Sequence, residues 1–293
     1  MLTVSQRLSI IAAGLLVFTS SNVHAVPVTF SAGGSTPASI QATVDAFRTA
    51  LGSPNNGNNP GGRREINWDG GTATDGTLAV TPFTVFQNTR GATFTTPGVG
   101  LTQTPVTGGT VDIIPGGAVQ GSLADINATY ATTFATFSPF RLFAPIGSNI
   151  TDGAFSLPGT GGTVPATVAG FGAVFTDVDL ANTTSIQYFD SSGTSLGTFF
   201  VPPGVPPAGA SIPTLSFLGV TFTTERIARV QITTGNSSLG PNDGSGVDVV
   251  VMDDFLYSEP IPEPASLLLM GTGLLGLAVW RSRKRSLPIS HLS

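Results

Sequence analysis

Short apolar runs, separated by Gly, Pro, Asn and Thr, follow one another along most of the chain. In residues 227–233, three aliphatic residues alternate with Arg229, Gln231 and Thr233. This alternation is typical of a strand that buries one face and leaves the other in water. Strands are predicted in this way at residues 26–30, 80–86, 92–96, 111–114, 133–137, 141–143, 154–157, 171–178, 185–189, 196–201, 215–223, 227–233 and 247–257. The repeated short strands predict an all-β fold, an antiparallel β-sandwich or jelly roll.

The strongest helical pattern lies before most of these strands, at residues 37–51. Pro37 suits the first turn of a helix, and Gly52 suits the position just after its end. One apolar stripe with helical spacing is formed by Ile40, Val44, Phe47 and Leu51. We therefore predict one N-terminal helix that covers a sheet, and we assign it no chemistry.

The N-terminus has the pattern of a signal peptide. Arg7 precedes an apolar run over residues 8–18, and Val23-His24-Ala25 places small residues at the positions that signal peptidase reads. We predict a signal peptide at residues 1–25, cleaved after Ala25, and an exported body at residues 26–258.

The C-terminal segment, residues 259–293, combines three features. Pro262-Glu263-Pro264 precedes an uncharged apolar stretch at residues 265–280, and a basic tail follows at residues 281–285. As a helix the stretch would be roughly 24 Å long, shorter than the ~30 Å hydrocarbon core of a bilayer. Basic residues that flank a membrane helix stay on the cytoplasmic side. The basic tail contains four of them, Arg281, Arg283, Lys284 and Arg285. The pattern predicts a hydrophobic helix in a membrane that holds the body at the outer face.

This three-part segment resembles the PEP-CTERM sorting signal of Gram-negative bacteria. The element is also classified as an ice-binding-protein C-terminal domain, a label that does not imply ice binding. The resemblance implies that exosortase, a membrane-embedded transpeptidase-like protease, recognises the motif at residues 262–264, the apolar span and the basic tail. It also implies transient anchoring in the inner membrane, then delivery to the cell surface or extracellular matrix of a bacterium that makes exopolysaccharide and biofilm.

The composition of the body excludes several kinds of site. Residues 26–260 contain seven arginines, no lysine and sixteen acidic residues, a formal charge of −9. Such a surface repels a phosphate backbone, so we expect no nucleic-acid partner. The chain has no cysteine, and its two histidines, His24 and His291, lie outside the body. A Ser-His-Asp triad, thiolate catalysis and His-ligated zinc are therefore excluded, and carboxylate and carbonyl oxygens remain.

Asp253 and Asp254 interrupt the apolar run VVVMDDFLY at residues 249–257. Strict strand alternation places Asp253 on one face with Phe255, and Asp254 on the other face with Met252. Both faces are apolar, so at least one carboxylate is expected to be partly buried and to need a cation, an arginine or hydrogen-bond donors.

Two explanations of this acidic pair remain open. An Asp-Asp pair in a last strand resembles the closing strand of jelly-roll carbohydrate-binding modules, which implies that Asp253 binds a structural Ca²⁺, an ion that prefers oxygen ligands. The alternative is structural: Asp253 or Asp254 pairs with an arginine such as Arg64 or Arg141, or accepts hydrogen bonds from neighbouring backbone amides.

A second acidic pair, Asp177 and Asp179, is predicted on one strand face. The pair could line the same Ca²⁺ site or another one, although a strand end leading into a polar turn explains it equally simply. Residues 242–248, NDGSGVD, faintly resemble a Ca²⁺-binding loop but lack its bidentate Glu, so a hairpin or loop is favoured.

The body, over residues 40–258, also resembles an uncharacterised group of PEP-CTERM proteins. The resemblance rests on GFGAVFTDVD, SIQYFDSSGTSLGTF, FLGVTF, ERIARVQITTGN and DVVVMDDFLY, and it implies no established activity. We predict a non-catalytic surface or matrix protein. One alternative is a carbohydrate-binding module for exopolysaccharide, for which the aromatic residues Trp68, Tyr130, Tyr188 and Tyr257 are few. The other is a glycoside-active enzyme that uses Glu65 or Glu225.

Overall fold

The computed structural model describes residues 26–57, 61–70, 75–116, 120–223, 226–263, 272–274 and 281. Over these residues the chain is mostly β, with antiparallel sheets. Four helices are present among them: α1 (Pro37–Leu51), α2 (Gln87–Arg90), α3 (Leu123–Ile126) and α4 (Tyr130–Thr133). The strands are β1 (Val28–Gly34), β2 (Arg63–Ile66), β3 (Ala92–Thr95), β4 (Gly100–Pro105), β5 (Arg141–Ile146), β6 (Ile150–Phe155), β7 (Ala166–Thr167), β8 (Gly170–Thr176), β9 (Ser185–Phe189), β10 (Ser195–Phe200), β11 (Leu215–Thr221), β12 (Arg229–Thr233), β13 (Val251–Ser258) and β14 (Ile261–Pro262).

Two sheets pack face to face. The larger has the strand order β1-β11-β8-β13-β5-β4, with β2 paired to β13, and the smaller has the order β10-β9-β12-β6-β3. One apolar core contains side chains of both sheets, for example Phe171 and Phe255 from the larger and Ile186 and Val230 from the smaller. The prediction of an antiparallel β-sandwich is therefore confirmed.

The N-terminal helix covers the outer face of the larger sheet, as predicted. Its four stripe residues are buried and pack against a second apolar cluster that includes Val174, Leu215 and Phe217. Two glycines, Gly172 and Gly219, are opposite each other on β8 and β11, beneath the ring of Phe47. Their missing side chains let the helix approach the sheet closely.

Trp68 lies at the centre of the main core. Its ring stacks on Phe143 with 3.7 Å between centroids and an interplanar angle of 4°. The indole N–H donates to the carbonyl of Asp253 at 3.0 Å, so the ring satisfies its polar atom while fully buried.

Four local predictions are wrong. The predicted strands at residues 80–86 and 111–114 are absent: Val80 and Phe83 form only isolated bridges, and residues 111–114 belong to no strand. Residues 133–137 form no strand, because α4 ends at Thr133 and the following backbone N–H of Ala135 bonds to the side chain of Thr176 instead of a neighbouring strand. Strict alternation also fails in β13, where the register shifts between Met252 and Phe255. Met252 and Phe255 consequently enter the same core, since the extra residue of a bulge reverses the alternation.

Several predictions concern segments outside the described residues. These are the signal peptide at residues 1–25, most of the apolar span at residues 265–280, and the tail residues after Arg281. Within the described ranges, we find no helix with the length and apolar character required to cross a membrane.

Candidate functional site

Three carboxylates meet where β8 ends. Asp177, the first residue after β8, has a φ of 68° in the left-handed region, and it turns the chain out of the sheet. Asp179 follows in the same loop, and Asp243 comes from the loop before β13. One carboxylate oxygen of each residue lies within 4.8 Å of the others. We call Asp177, Asp179 and Asp243 the acidic cluster.

The acidic cluster is partly removed from water. Asp177 is only 6% exposed, and its carboxylate accepts no hydrogen bond from the described part of the chain. Burial, followed by the charges of Asp179, Asp243 and Asp248, raises the pKa of Asp177 to about 8. Burial and then the charge of Asp243 also raise the pKa of Asp179. Full ionisation of the cluster is therefore unfavourable near neutral pH without a cation.

Asp248 joins the two loops that carry the cluster. Its buried carboxylate accepts the backbone N–H of Asp179 at 3.0 Å and the hydroxyl of Thr183. On the other loop, Asp243 accepts the backbone N–H of Val249 at 2.8 Å. These hydrogen bonds keep the loops side by side.

A cavity of about 440 Å³ opens beside the acidic cluster. Its lining contains the three carboxylates and further oxygen-bearing groups, among them Thr214, whose buried hydroxyl has no hydrogen-bond partner among the described residues. The complete lining is Thr129, Thr132, Thr133, Asp177, Asp179, Pro206, Ala210, Ser211, Ile212, Pro213, Thr214, Asn242 and Asp243.

The sequence identified part of this cluster. Asp177 and Asp179 lie together as expected, but beyond the strand end rather than on a strand face. Asp243 belongs to the segment that we interpreted as a hairpin or loop, and its spacing from the other two gave no reason to group them. The NDGSGVD pattern was the signal that could have pointed to it.

Asp253 and Asp254 lie in a different environment, supplied with hydrogen-bond donors by the chain. Asp253 Oδ2 accepts the backbone N–H groups of Phe137 at 2.6 Å and of Ser138 at 3.3 Å, and Oδ1 accepts the N–H of Asp254 at 2.9 Å. The Ser138 hydroxyl lies 2.7 Å from Asp254 Oδ1 and 2.9 Å from Asp69 Oδ2. These contacts correspond to the structural alternative for the acidic pair.

Burial dominates the ionisation of this pair. It holds the pKa of Asp253 well above its ordinary value, and the adjacent charge of Asp254 acts in the same direction. Burial also raises the pKa of Asp254, although Ser138 and Arg48 counteract part of this effect. The two adjacent carboxyl groups thus retain a proton more readily than an exposed aspartate does.

The arginines have partners other than those we expected. Asp254 lies 3.7 Å from Arg48, which also contacts Glu65 at 3.1 Å. Arg64 forms a buried pair with Glu259 instead. Arg141 donates to the carbonyl of Asp75 at 3.2 Å and to the carbonyl of Gly70. Arg64 and Arg141, the two arginines suggested as partners for Asp253 or Asp254, thus have other partners, and Arg48 is the arginine beside Asp254.

Arg48 lies in the wall of a second cavity, of about 390 Å³. We call it the Arg48 cavity; sequence reasoning missed it because its residues come from separate parts of the chain. Its lining combines amides, charges and one aromatic ring: Gln41, Arg48, Asn56, Glu65, Asn67, Arg90, Phe137, Ser138 and Asp254.

The expected aromatic binding residues are in the interior. Trp68, Tyr130, Tyr188 and Tyr257 are all fully buried, so they offer no stacking surface to a sugar. Of the glutamates, Glu65 lines the Arg48 cavity, Glu259 pairs with Arg64, and Glu225 lies outside the described residues.

The chain stays hydrogen-bonded to the sandwich as far as the start of the sorting motif. Strand β14 pairs with β7, with Ile261 opposite Thr167 and Pro262 opposite Ala166. Pro262 and Glu263 are half-buried and Arg281 is exposed, whereas Pro264, Arg283, Lys284 and Arg285 lie outside the described residues.

Comparison with known proteins identifies this segment. The PEP-CTERM protein-sorting motif matches residues 260–284. No curated protein and no protein of known structure is similar enough to the chain to be matched to it. The chain thus contains a PEP-CTERM sorting motif, and the motif indicates an extracellular protein with exosortase as its processing partner.

Proposed function

We propose that this exosortase-sorted protein is a non-catalytic component of the bacterial cell surface or extracellular matrix. The observation that carries the proposal is the PEP-CTERM motif at residues 260–284, attached directly to a sandwich through β14. The charged groups at Asp253 and Asp254 support a structural role, because the chain's own amides, Ser138 and Arg48 are their partners. In this proposal signal peptidase removes residues 1–25, and the sandwich becomes part of a biofilm rich in exopolysaccharide.

The proposal is tested by the intact mass of the exported protein, with and without exosortase in the producing strain. We expect the mature protein to begin at Val26 and to end near residues 262–264, and to remain cell-associated without exosortase. Glu263→Ala should reduce sorting, whereas Asp190→Asn, a charge change in the turn between β9 and β10, should not. A mature protein that keeps residues 281–285 would contradict processing at the motif.

The Arg48 cavity favours a second candidate function, the binding of exopolysaccharide. Its amide, carboxylate and guanidinium groups are the donors and acceptors that hydrogen-bond sugar hydroxyls, and Phe137 adds an apolar surface. In this candidate Gln41 and Asn67 contact the glycan directly.

Retention on the producer's own polysaccharide tests the second candidate. Gln41→Ala and Asn67→Ala should each release the protein earlier, whereas Gln187→Ala on the smaller sheet should not. No retention of the wild-type protein would argue against glycan binding. Cleavage of the polysaccharide that disappears in Glu65→Gln would instead favour a glycoside-active enzyme, since Glu65 and Asp254 both line this cavity.

A further inference from the structure

Within the part of the chain that the structure describes, no basic side chain is paired with the acidic cluster. Among the described residues no arginine forms an ion pair with Asp177, Asp179 or Asp243. The arginines that have carboxylate partners elsewhere are Arg48, Arg63, Arg64 and Arg229. One oxygen from each of the three carboxylates lies within 4.8 Å of the others, so their ionised forms repel one another, and a cation bound between them would relieve this repulsion.

Two further observations point to a bound ion rather than to a solvated acidic surface. Asp177 is buried as a residue, and no described residue donates a hydrogen bond to its carboxylate. The buried hydroxyl of Thr214, on the wall of the same cavity, also lacks a partner within the described chain. A buried hydroxyl is normally satisfied, so the Thr214 oxygen indicates a missing partner beside the carboxylates.

The ligand chemistry selects the ion. The side-chain atoms around the cluster that could ligate a metal are oxygens, from carboxylates, hydroxyls and the amide of Asn242. Ca²⁺ accepts six to eight such oxygens in a flexible arrangement, whereas Mg²⁺ requires a near-ideal octahedron. The cluster lies between two irregular loops, which can supply carbonyl groups and leave room for water. Histidine and cysteine, which zinc prefers, are absent from the body.

We propose that Asp177, Asp179 and Asp243 bind one Ca²⁺ ion, which links the end of β8 to the loop before β13. The ion joins two segments that are 66 positions apart, counted from Asp177 to Asp243. The bound ion would therefore hold the two loops together at this end of the sandwich after export. The inference goes beyond the proposed function, and it does not depend on how the tail is processed.

Calcium titration of the full chain, after EDTA treatment and dialysis, tests the proposal. Isothermal titration with CaCl₂ should give one ion per chain with a Kd on the order of 10⁻⁴ M, as in extracellular modules. At about 2 mM CaCl₂ the melting temperature should rise by roughly 4–7 °C, because the ion binds the native state only. The same concentration of MgCl₂ should give a clearly smaller rise.

Two variants locate the site. Asp179→Asn, at an exposed position that is expected to fold, should weaken Ca²⁺ binding by about tenfold or more, and Asp243→Asn should act in the same way. Asp45→Asn, an equal charge change on α1, should leave binding unchanged. Absence of binding heat, an equal rise with MgCl₂, or wild-type affinity in Asp179→Asn would each overturn the proposal.

Discussion

Arg64 and Glu259 are 195 positions apart, yet they form a buried two-point ion pair. The Nε–Oε2 distance is 2.8 Å and the Nη2–Oε1 distance is 2.6 Å, with Arg64 only 1% exposed. The pair connects β2 to the segment between β13 and β14. It therefore attaches the residues that lead into the sorting motif to the sandwich.

Breaking this pair should destabilise the body. Glu259→Gln leaves the Arg64 guanidinium buried without its counter-charge, so we expect the free energy of unfolding to fall by about 3–5 kcal/mol. Urea unfolding monitored by circular dichroism measures the effect. Asp152→Asn is the matched control, because its pair with Arg229 is partly exposed and should be worth about 1 kcal/mol or less. Equal losses in both variants would contradict a special role for the buried pair.

The acidic pair in β13 should make stability depend on pH. The pKa values of Asp253 and Asp254 are raised in the native state, mainly by burial. Above the ordinary aspartate pKa of about 3.9, the native state therefore binds more protons than the unfolded chain. The free energy of unfolding should accordingly fall as the pH rises from about 4 through the raised pKa values.

Asp254→Asn isolates this contribution. It removes one titrating group of the pair, so the decline in the urea midpoint between about pH 4 and pH 9 should become shallower than in the wild type. The variant also removes the neighbouring charge that raises the pKa of Asp253, which acts in the same direction, and the buried acids outside the pair cancel in the comparison. Asp45→Asn, an exposed change on α1, should leave the slope as it is. An unchanged slope in Asp254→Asn would show that the pair ionises normally.

The two facing glycines set the distance between α1 and the larger sheet. A Cβ on Gly219 would lie 2.8 Å from the ring of Phe47, closer than such atoms pack. Gly219→Ala should therefore cost about 1–3 kcal/mol of unfolding free energy through overpacking. Adding Phe47→Leu should recover part of this loss, giving a non-additive double-mutant cycle. Gly70→Ala meets no atom within 4 Å and should change stability by less than about 0.5 kcal/mol.

Trp68 should be the more important of the two tryptophans for stability. Trp68→Phe removes the indole N–H that reaches the Asp253 carbonyl and leaves space beside Phe143. We expect a loss of about 1–3 kcal/mol, measured by thermal or urea unfolding. Trp280→Phe, in the predicted apolar span, should leave unfolding of the body unchanged. A larger effect from Trp280 would show that the tail contributes to the fold of the body.

The sequence alone determined the features that depend on local spacing. The stripe from Ile40 to Leu51 placed α1 at its observed bounds, and alternation between apolar and polar residues revealed strands such as β12. The PEP-CTERM motif was also readable, because recognition depends on adjacent residues and on a continuous apolar span. The helical and strand patterns repeat every two to four residues, so burial of one face of the element is sufficient to produce them.

The tertiary structure alone decided which distant side chains meet. Asp243 joins Asp177 because β13 pairs with β8, which brings the preceding loop to the end of that strand. Arg48, rather than Arg64, reaches Asp254 because α1 packs over the same sheet. The bulge between Met252 and Phe255 reverses an alternation that the sequence pattern predicted as continuous. Side-chain periodicity indicates which face of an element is buried. Strand order, loop conformation and bulges depend on the packing of the whole chain, and they determine where the charged side chains of this protein lie.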